Sequence, residues 1–395
     1  MRHKQFTLKA SSVHAHARRL LLDELDLRSY RPALPAALVV SLLLLASAWQ
    51  TSLSGACRLV KHPPCREAAR KAALALLPRK PRELLDALLA ALRNTIPDHL
   101  RRLPQLVALD LHQRPFYGKK NTKGCSRRQQ KQGTRNSFTY ASIAALSCWG
   151  RFTVGLLHFR PKMRLTTVVE TLLGQAEQAG LAVCRLLLDK EFYAAEVVDL
   201  LQRRGVPFVM PAEDRGASKF LYDPKTAVGF YPYGWQGDLK RYDPATKKRV
   251  KRGKLAVAVL GCAARHNKTG EPLGYATWGL VGWSPRQVSE EYRRRFGIEA
   301  SYRQLSGCLA RTSSRCERYR LLLVGVALLL CNLWSQLHSE VFSTGALCET
   351  RLQQARMRLL QMCVALAAVV AALFGGYLDE WQTQRPLPPW LAHET

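Results

Sequence analysis

The sequence predicts an α/β fold that is preceded by a helical region and interrupted by a β-rich segment. Residues 1–104 are Leu-rich, with Lys and Arg at helical spacing. Residues 105–211 alternate short aliphatic runs with amphipathic stretches, and residues 212–284 turn to Gly, Pro, Tyr and Trp. With 395 residues, 47% of them apolar, the chain can bury a sizeable core as one large domain or two to three smaller ones.

Taken in order, residues 1–104 form a helical N-terminal domain, cut into short helices by Pro63, Pro64, Pro78 and Pro81. It is a candidate for DNA-end recognition, or equally for packing and dimerisation. QLVALDLH, 105–112, reads as a buried strand. A basic, Gly-containing loop follows from Gly118 to Arg135. It holds Lys119, Lys120, Lys123, Arg127, Arg128, Lys131 and Arg135 and has no acid. Strands are expected at 137–148 and 151–160, joined by Trp149-Gly150. A helix at 166–180, a strand at 184–192, a helix at 194–204 and a strand at 206–211 complete an α/β order. The core is thus divided into 105–211 and 285–340, around a β-rich insertion at 212–284. The insertion has β-like runs at 227–233, 255–262 and 275–283, and a basic stretch from Lys240 to Lys254 that includes Lys247, Lys248 and Arg249. Residues 341–395 are a C-terminal helical region ending in a Pro-rich tail.

Charge narrows the function. Sixty Lys and Arg against 29 Asp and Glu leave a net charge of +31, a surplus that repels itself unless a polyanion is near. The usual polyanion is nucleic acid, whose condensed counterions are released on binding. The segments 119–135 and 240–254 are the best candidates for contact with the phosphate backbone. Eleven cysteines are scattered without a C-x-x-C pair, and Cys57, His62 and Cys65 have poor ligand spacing, so a zinc ribbon is not expected. The cysteines read as reduced thiols of a cytoplasmic, nucleoid-associated protein. The apolar runs 33–49, 321–334 and 363–374 fall short of the roughly 20 residues of a membrane span and read as buried helices. No signal peptide is expected, and no H-x-x-x-H pair points to a metalloprotease. Trp149, Trp235, Trp278 and Trp283 read as core, with base stacking as the alternative.

Three acids stand out. Asp110 lies inside the apolar VALDLH run, where a buried carboxylate is costly unless it is paired or binds a metal; at a solvent-facing strand end the cost would be small. Asp189 ends the aliphatic run RLLL, at the carboxyl end of an expected strand, where α/β sheets place ligand-binding groups. In SEEYRRRFGIEASYRQL, Tyr292, Arg295 and Glu299 fall on one helical face, and Glu299 has Arg295 and Arg303 four residues to either side. An ordinary basic amphipathic helix would carry the same residues. An acid suited to a metal, flanked by guanidinium groups suited to phosphate, also fits phosphodiester chemistry.

Tyr292-x-x-Arg295-x-x-x-Glu299 resembles the Y-x2-R-x3-E signature of bacterial and archaeal insertion-sequence DDE transposases. The resemblance covers roughly residues 105–335, with Asp110 as the first acid, Asp189 in DKEF as the second, and 110 residues between Asp189 and Glu299 to house the insertion. One position departs from it: where the family often has Lys, seven residues after the Glu, this chain has Ser306. The resemblance implies a ribonuclease-H-like, retroviral-integrase-type core. Asp110, Asp189 and Glu299 would hold two Mg2+ (or Mn2+) ions, with no protein nucleophile. It also implies cutting of transposon ends and joining to target double-stranded DNA, with self-association on DNA and no small-molecule substrate. Arg295 would clamp a phosphate, Tyr292 would lie near the scissile strand, and Arg303 would contact DNA. A nuclease of the same fold without strand transfer, and a non-catalytic basic DNA-binding protein, are the alternatives.

Overall fold

A computed structural model describes residues 7–25, 34–119, 121–131, 133–243, 248–342 and 357–379. Only the backbone is described for 127–131, 239–243, 248–249, 252 and 296–304. Six helices come first: α1 (Ala10–Glu24), α2 (Ala36–Ala48), α3 (Leu53–Arg58), α4 (Arg66–Ala75), α5 (Pro81–Arg93) and α6 (Asp98–Arg102). The chain then enters a mixed sheet, which has nine strands among the described residues: β1 (Gln105–Pro115), β2 (Ser126–Lys131), β3 (Thr134–Ser147), β4 (Gly150–His158), β5 (Val183–Leu188), β6 (Phe208–Pro211), β7 (Gly229–Asp243), β8 (Lys248–Arg265) and β9 (Pro272–Trp278). Helices α7 (Leu165–Gln178) and α8 (Ala195–Arg203) connect the central strands. Helices α9 (Pro285–Gly307), α10 (Glu317–Gln336) and α11 (Leu359–Leu373) close the described chain.

The centre of the sheet runs β4-β3-β1-β5-β6, with β1, β5 and β6 parallel and β3 and β4 antiparallel to their neighbours. Strand β1 is buried on both faces, which is why its sequence reads as a near-continuous apolar run. Successive side chains alternate between two cores. Val107 and Leu109 pack with α7 and α8 residues such as Val169 and Val198, while Leu106 and Ala108 pack with Val288 and Tyr292 of α9. Asp110 falls on the α9 side.

The β-rich segment continues this sheet. Strand β9 pairs with β6, β8 with β9, and β7 with β8. Strand β8 pairs with β9 only from Leu260 onward, so the earlier part of the β7–β8 hairpin runs on as two strands. The basic segment expected as a loop is partly strand: Ser126–Lys131 forms β2, paired with the start of β3. Its SRRQQK sequence has no apolar alternation, because an edge strand is held by backbone hydrogen bonds and does not need a buried face.

Edge strand β4 is covered by two side-chain amides that imitate a missing neighbour. Gln175 accepts from Leu156 N at 2.9 Å and donates to Leu156 O at 3.2 Å. Asn332 accepts from Thr153 N at 2.8 Å and donates to Thr153 O at 2.9 Å. Gly155 makes room for this, because a Cβ there would meet Ile143 at 2.6 Å and the Gln175 amide oxygen at 2.8 Å. Below β4, buried Glu317 accepts from His158 Nδ1 at 2.8 Å and from Arg160 Nε at 2.9 Å. The His158 hydrogen bond, aided by Arg160, holds the Glu317 carboxyl down at about 2.

The N-terminal helices share one core with the end of the chain. Leu42, Leu45, Leu88 and Leu92 pack with Leu329 and Leu330 of α10 and with Leu366 and Val370 of α11. This explains the apolar runs. Glu317–Val341 is long and apolar enough to cross a membrane, yet 89% of its most apolar window is buried inside the protein, as befits a helix surrounded by other helices.

Candidate functional site

Strands β1 and β5 are adjacent and parallel, with Leu109 opposite Leu188. The next residue on each is an aspartate, so Asp110 and Asp189 stand side by side at neighbouring strands, about 4.8 Å apart along the hydrogen-bonding direction. Asp110 is 6% exposed. Asp189 caps the short turn Lys190–Phe192, accepting from Lys190 N at 2.7 Å. Two like charges this close raise each other's energy unless a cation lies between them.

The cation is Arg295. Its Nη2 lies 3.2 Å from Asp110 Oδ2 and 3.3 Å from Asp189 Oδ2. The two carboxylate oxygens are therefore at most 6.5 Å apart (3.2 plus 3.3). Arg295 Nη1 also donates to the Tyr292 hydroxyl at 3.2 Å, and that hydroxyl donates to Leu188 O at 3.2 Å, the carbonyl just before Asp189. Tyr292 packs on Tyr275 at 5.1 Å between ring centroids, and burial pushes its hydroxyl pKa up, so it stays a neutral donor. The Tyr-x-x-Arg spacing thus places a phenol and a guanidinium on one face of α9, aimed at the middle of β1 and the end of β5.

Helix α9 is fixed by its first turns. Ser284 and Gln287 form a capping box at its start. Buried Glu291 pairs with Arg185 of β5 at 2.9 Å and with Arg294 at 3.1 Å, and the Arg185 guanidinium lies over Trp283 at 4.6 Å.

Arg295 and Tyr292, expected to clamp a phosphate and to lie near the scissile strand, are both buried. They are 5% and 3% exposed, and their polar atoms are turned toward the two aspartates and the end of β5. Glu299 lies on α9 four residues beyond Arg295, but its side chain is outside the described residues, as is that of Arg303. Lys119 and Lys123 are exposed between β1 and β2. Arg127 and Arg128 lie on β2, and Lys248 and Arg249 begin β8 at the end of the hairpin, with only their backbone described. Lys120 and Lys247 are outside the described residues.

One neighbour was not singled out in the sequence. His112, two residues past Asp110 on the same strand face, meets Ser142 Oγ of β3 through Nε2 at 3.1 Å. Burial drives its pKa well below the usual imidazole value, so it sits neutral beside the acids. The period-two series Asp110, His112, Arg114 is the signal that would have found it.

The donor set suits a hard divalent ion. Two carboxylates converge on one cationic atom, and such ions prefer oxygen ligands. No group of three or more His, Cys, Asp or Glu side chains is clustered for metal binding among the described residues. Asp110 and Asp189 are therefore the described part of the site.

No family model and no curated sequence matches the chain. Among solved structures it is similar to piggyBac transposase in a synaptic complex with hairpin DNA. The TM-score is 0.50 and the identity 9%, over 92% of this chain and 79% of that one. At that identity the likeness is one of fold, and the chain has a mixed α/β architecture like that transposase.

Proposed function

We propose that the chain is a DNA transposase of an insertion sequence, cutting transposon ends and joining them to target DNA. The observation that carries this reading is the meeting of Asp110 and Asp189, 79 residues apart in sequence (189 minus 110), on the single Arg295 guanidinium, where the middle of β1 lies beside the end of parallel β5. The central strand order with β1, β5 and β6 parallel is read as a ribonuclease-H-like core, and the likeness to a transposase fold supports it.

Asp110 and Asp189, with Glu299 as the third acid, would hold two divalent ions, Mg2+ or Mn2+. These ions, when bound, supply a polarised phosphate and an ionised water or 3′-hydroxyl. The protein's own work is positional. Arg295 holds both carboxylates facing one point. Tyr292 ties Arg295 to the end of β5. The exposed Lys119 and Lys123, with Arg127, Arg128, Lys247, Lys248 and Arg249, are proposed to hold the duplex backbone by charge. Two copies are proposed to act on DNA together, since two ends must be joined, and the location is proposed to be the nucleoid-associated cytoplasm.

The test is a joining assay with purified chain, Mg2+ and linear DNA carrying the inverted repeats that flank its gene. Strand cleavage followed by covalent joining of a 3′ end to a target plasmid is expected. Cleavage without joining would reduce the reading to a nuclease, and neither product would contradict it.

A further inference from the structure

A cavity of about 1020 Å³ opens where the end of β1, the segment after α9 and the N-terminal helices meet. Its wall carries Arg114, Arg311, Arg315 and Arg320, together with Tyr140 and Ser306, and no carboxylate among the described residues. Arg320 has structural duties. It donates to Ser314 O at 2.6 Å and lies over the Phe116 and Phe138 rings at 4.8 and 4.7 Å. The other three arginines form no ion pair among the described residues, although the molecule has carboxylates elsewhere. Among the described residues Arg114 reaches Ser306 Oγ, at 3.5 Å, and its burial lowers its pKa. Tyr140 lines the same cavity. Tyr140 is 1% exposed, and its oxygen has no hydrogen-bond partner. A guanidinium without a carboxylate among the described residues of its wall is costly, and an anion with acceptor oxygens satisfies it.

The cavity is joined to the acidic pair by β1. Arg114 lies four residues past Asp110 on the same strand face, about 13 Å away. Ser306 of α9 faces it as Arg295 of α9 faces Asp110. A stacked strand advances about 3.4 Å per nucleotide, so the cavity lies within about four nucleotides of a phosphodiester seated at Asp110 and Asp189. Its volume is that of a cube about 10 Å on edge, smaller than the cross-section of a whole duplex. A single strand can seat its backbone inside, whereas a duplex would meet only the mouth.

We infer that this cavity binds the phosphodiester backbone of an unpaired DNA strand next to the cut. The inference rests on the proposed reading of Asp110 and Asp189 for what the strand is doing there, but its test does not need catalysis. Full-length protein in EDTA is titrated with a short fluorescein-labelled oligo(dT), with a labelled duplex and with inorganic phosphate as competitor. Arg114→Gln should weaken oligo(dT) binding about tenfold and flatten the log–log salt dependence by about 0.7, the value of one single-strand phosphate contact. Duplex binding should change less than about twofold, because its phosphate contacts lie on other segments. Arg114→Lys should restore most of the loss. The double variant Arg311→Gln/Arg315→Gln, at exposed positions that do not threaten folding, should weaken oligo(dT) binding several-fold. Unchanged oligo(dT) affinity in both variants, equal losses for oligo(dT) and duplex, or binding of inorganic phosphate without oligo(dT) would each overturn the inference. If Asp110→Asn still cuts DNA while Arg114→Gln loses the oligonucleotide, the catalytic reading fails and the cavity stands.

Discussion

Asp110→Asn and Asp189→Asn should each lower DNA-end cleavage by on the order of 10³-fold or more, while duplex binding stays within about twofold of wild type. Asparagine keeps the size of the side chain and removes the charge. Each substitution leaves Arg295 one carboxylate partner, so the brace from α9 to the end of β5 through Tyr292 survives. A factor of 10³ is about 4 kcal/mol of barrier, the scale expected when a charged ligand of the reacting centre is removed. Single-turnover cleavage and a parallel gel-shift titration read the two effects separately. A variant that binds duplex and cleaves at the wild-type rate would remove that aspartate from the site.

Arg295→Met is expected to have the largest effect on stability. It leaves Asp110 and Asp189 with oxygens no more than 6.5 Å apart and without the guanidinium between them. At an effective dielectric near 20, two like charges at that distance repel by about 2.5 kcal/mol. Removing one member of a buried ion cluster typically costs about 3–5 kcal/mol, and the partial exposure of Asp189 places this case at the lower end, about 3 kcal/mol. Urea denaturation in EDTA measures it. Mn2+ should recover more stability in Arg295→Met than in the wild type, because the ion takes over the neutralising role. Arg295→Met as stable as the wild type in EDTA, or equal Mn2+ responses in the two proteins, would show that Arg295 does not organise the carboxylates.

How much of this was legible in the sequence follows from what local pattern encodes. An acid inside an apolar run singled out Asp110, and an aliphatic run ending in an acid singled out Asp189. Their adjacency was not legible, because strand order depends on the crossover through α7 and not on either strand. The Tyr292–Arg295 spacing placed two side chains on one helical face, but a helical period does not say what that face meets. It meets the middle of β1 and the end of β5, where the guanidinium lies against the Asp110 and Asp189 carboxylates. The same limit applies to α1–α5: their apolar stripes were visible, while α10 and α11 as their partners were not, since hydrophobic pattern names no partner. β2 escaped because its strand state is set by the edge of β3 and not by its own side chains. Arg114 and Tyr140, far apart in sequence and each unremarkable alone, become a site only through the pairing of β1 with β3, which sets His112 opposite Tyr140 and Arg114 opposite Phe138.

Manganese binding to the DNA-free protein, followed by electron paramagnetic resonance, goes straight to whether the two aspartates act as one ligand set. Wild-type protein should hold Mn2+, and Asp110→Asn and Asp189→Asn should each weaken it at least about tenfold, although the two residues belong to different strands. Undiminished Mn2+ affinity in either variant would mean that the carboxylates gathered by Arg295 are a structural ion cluster and not a metal centre.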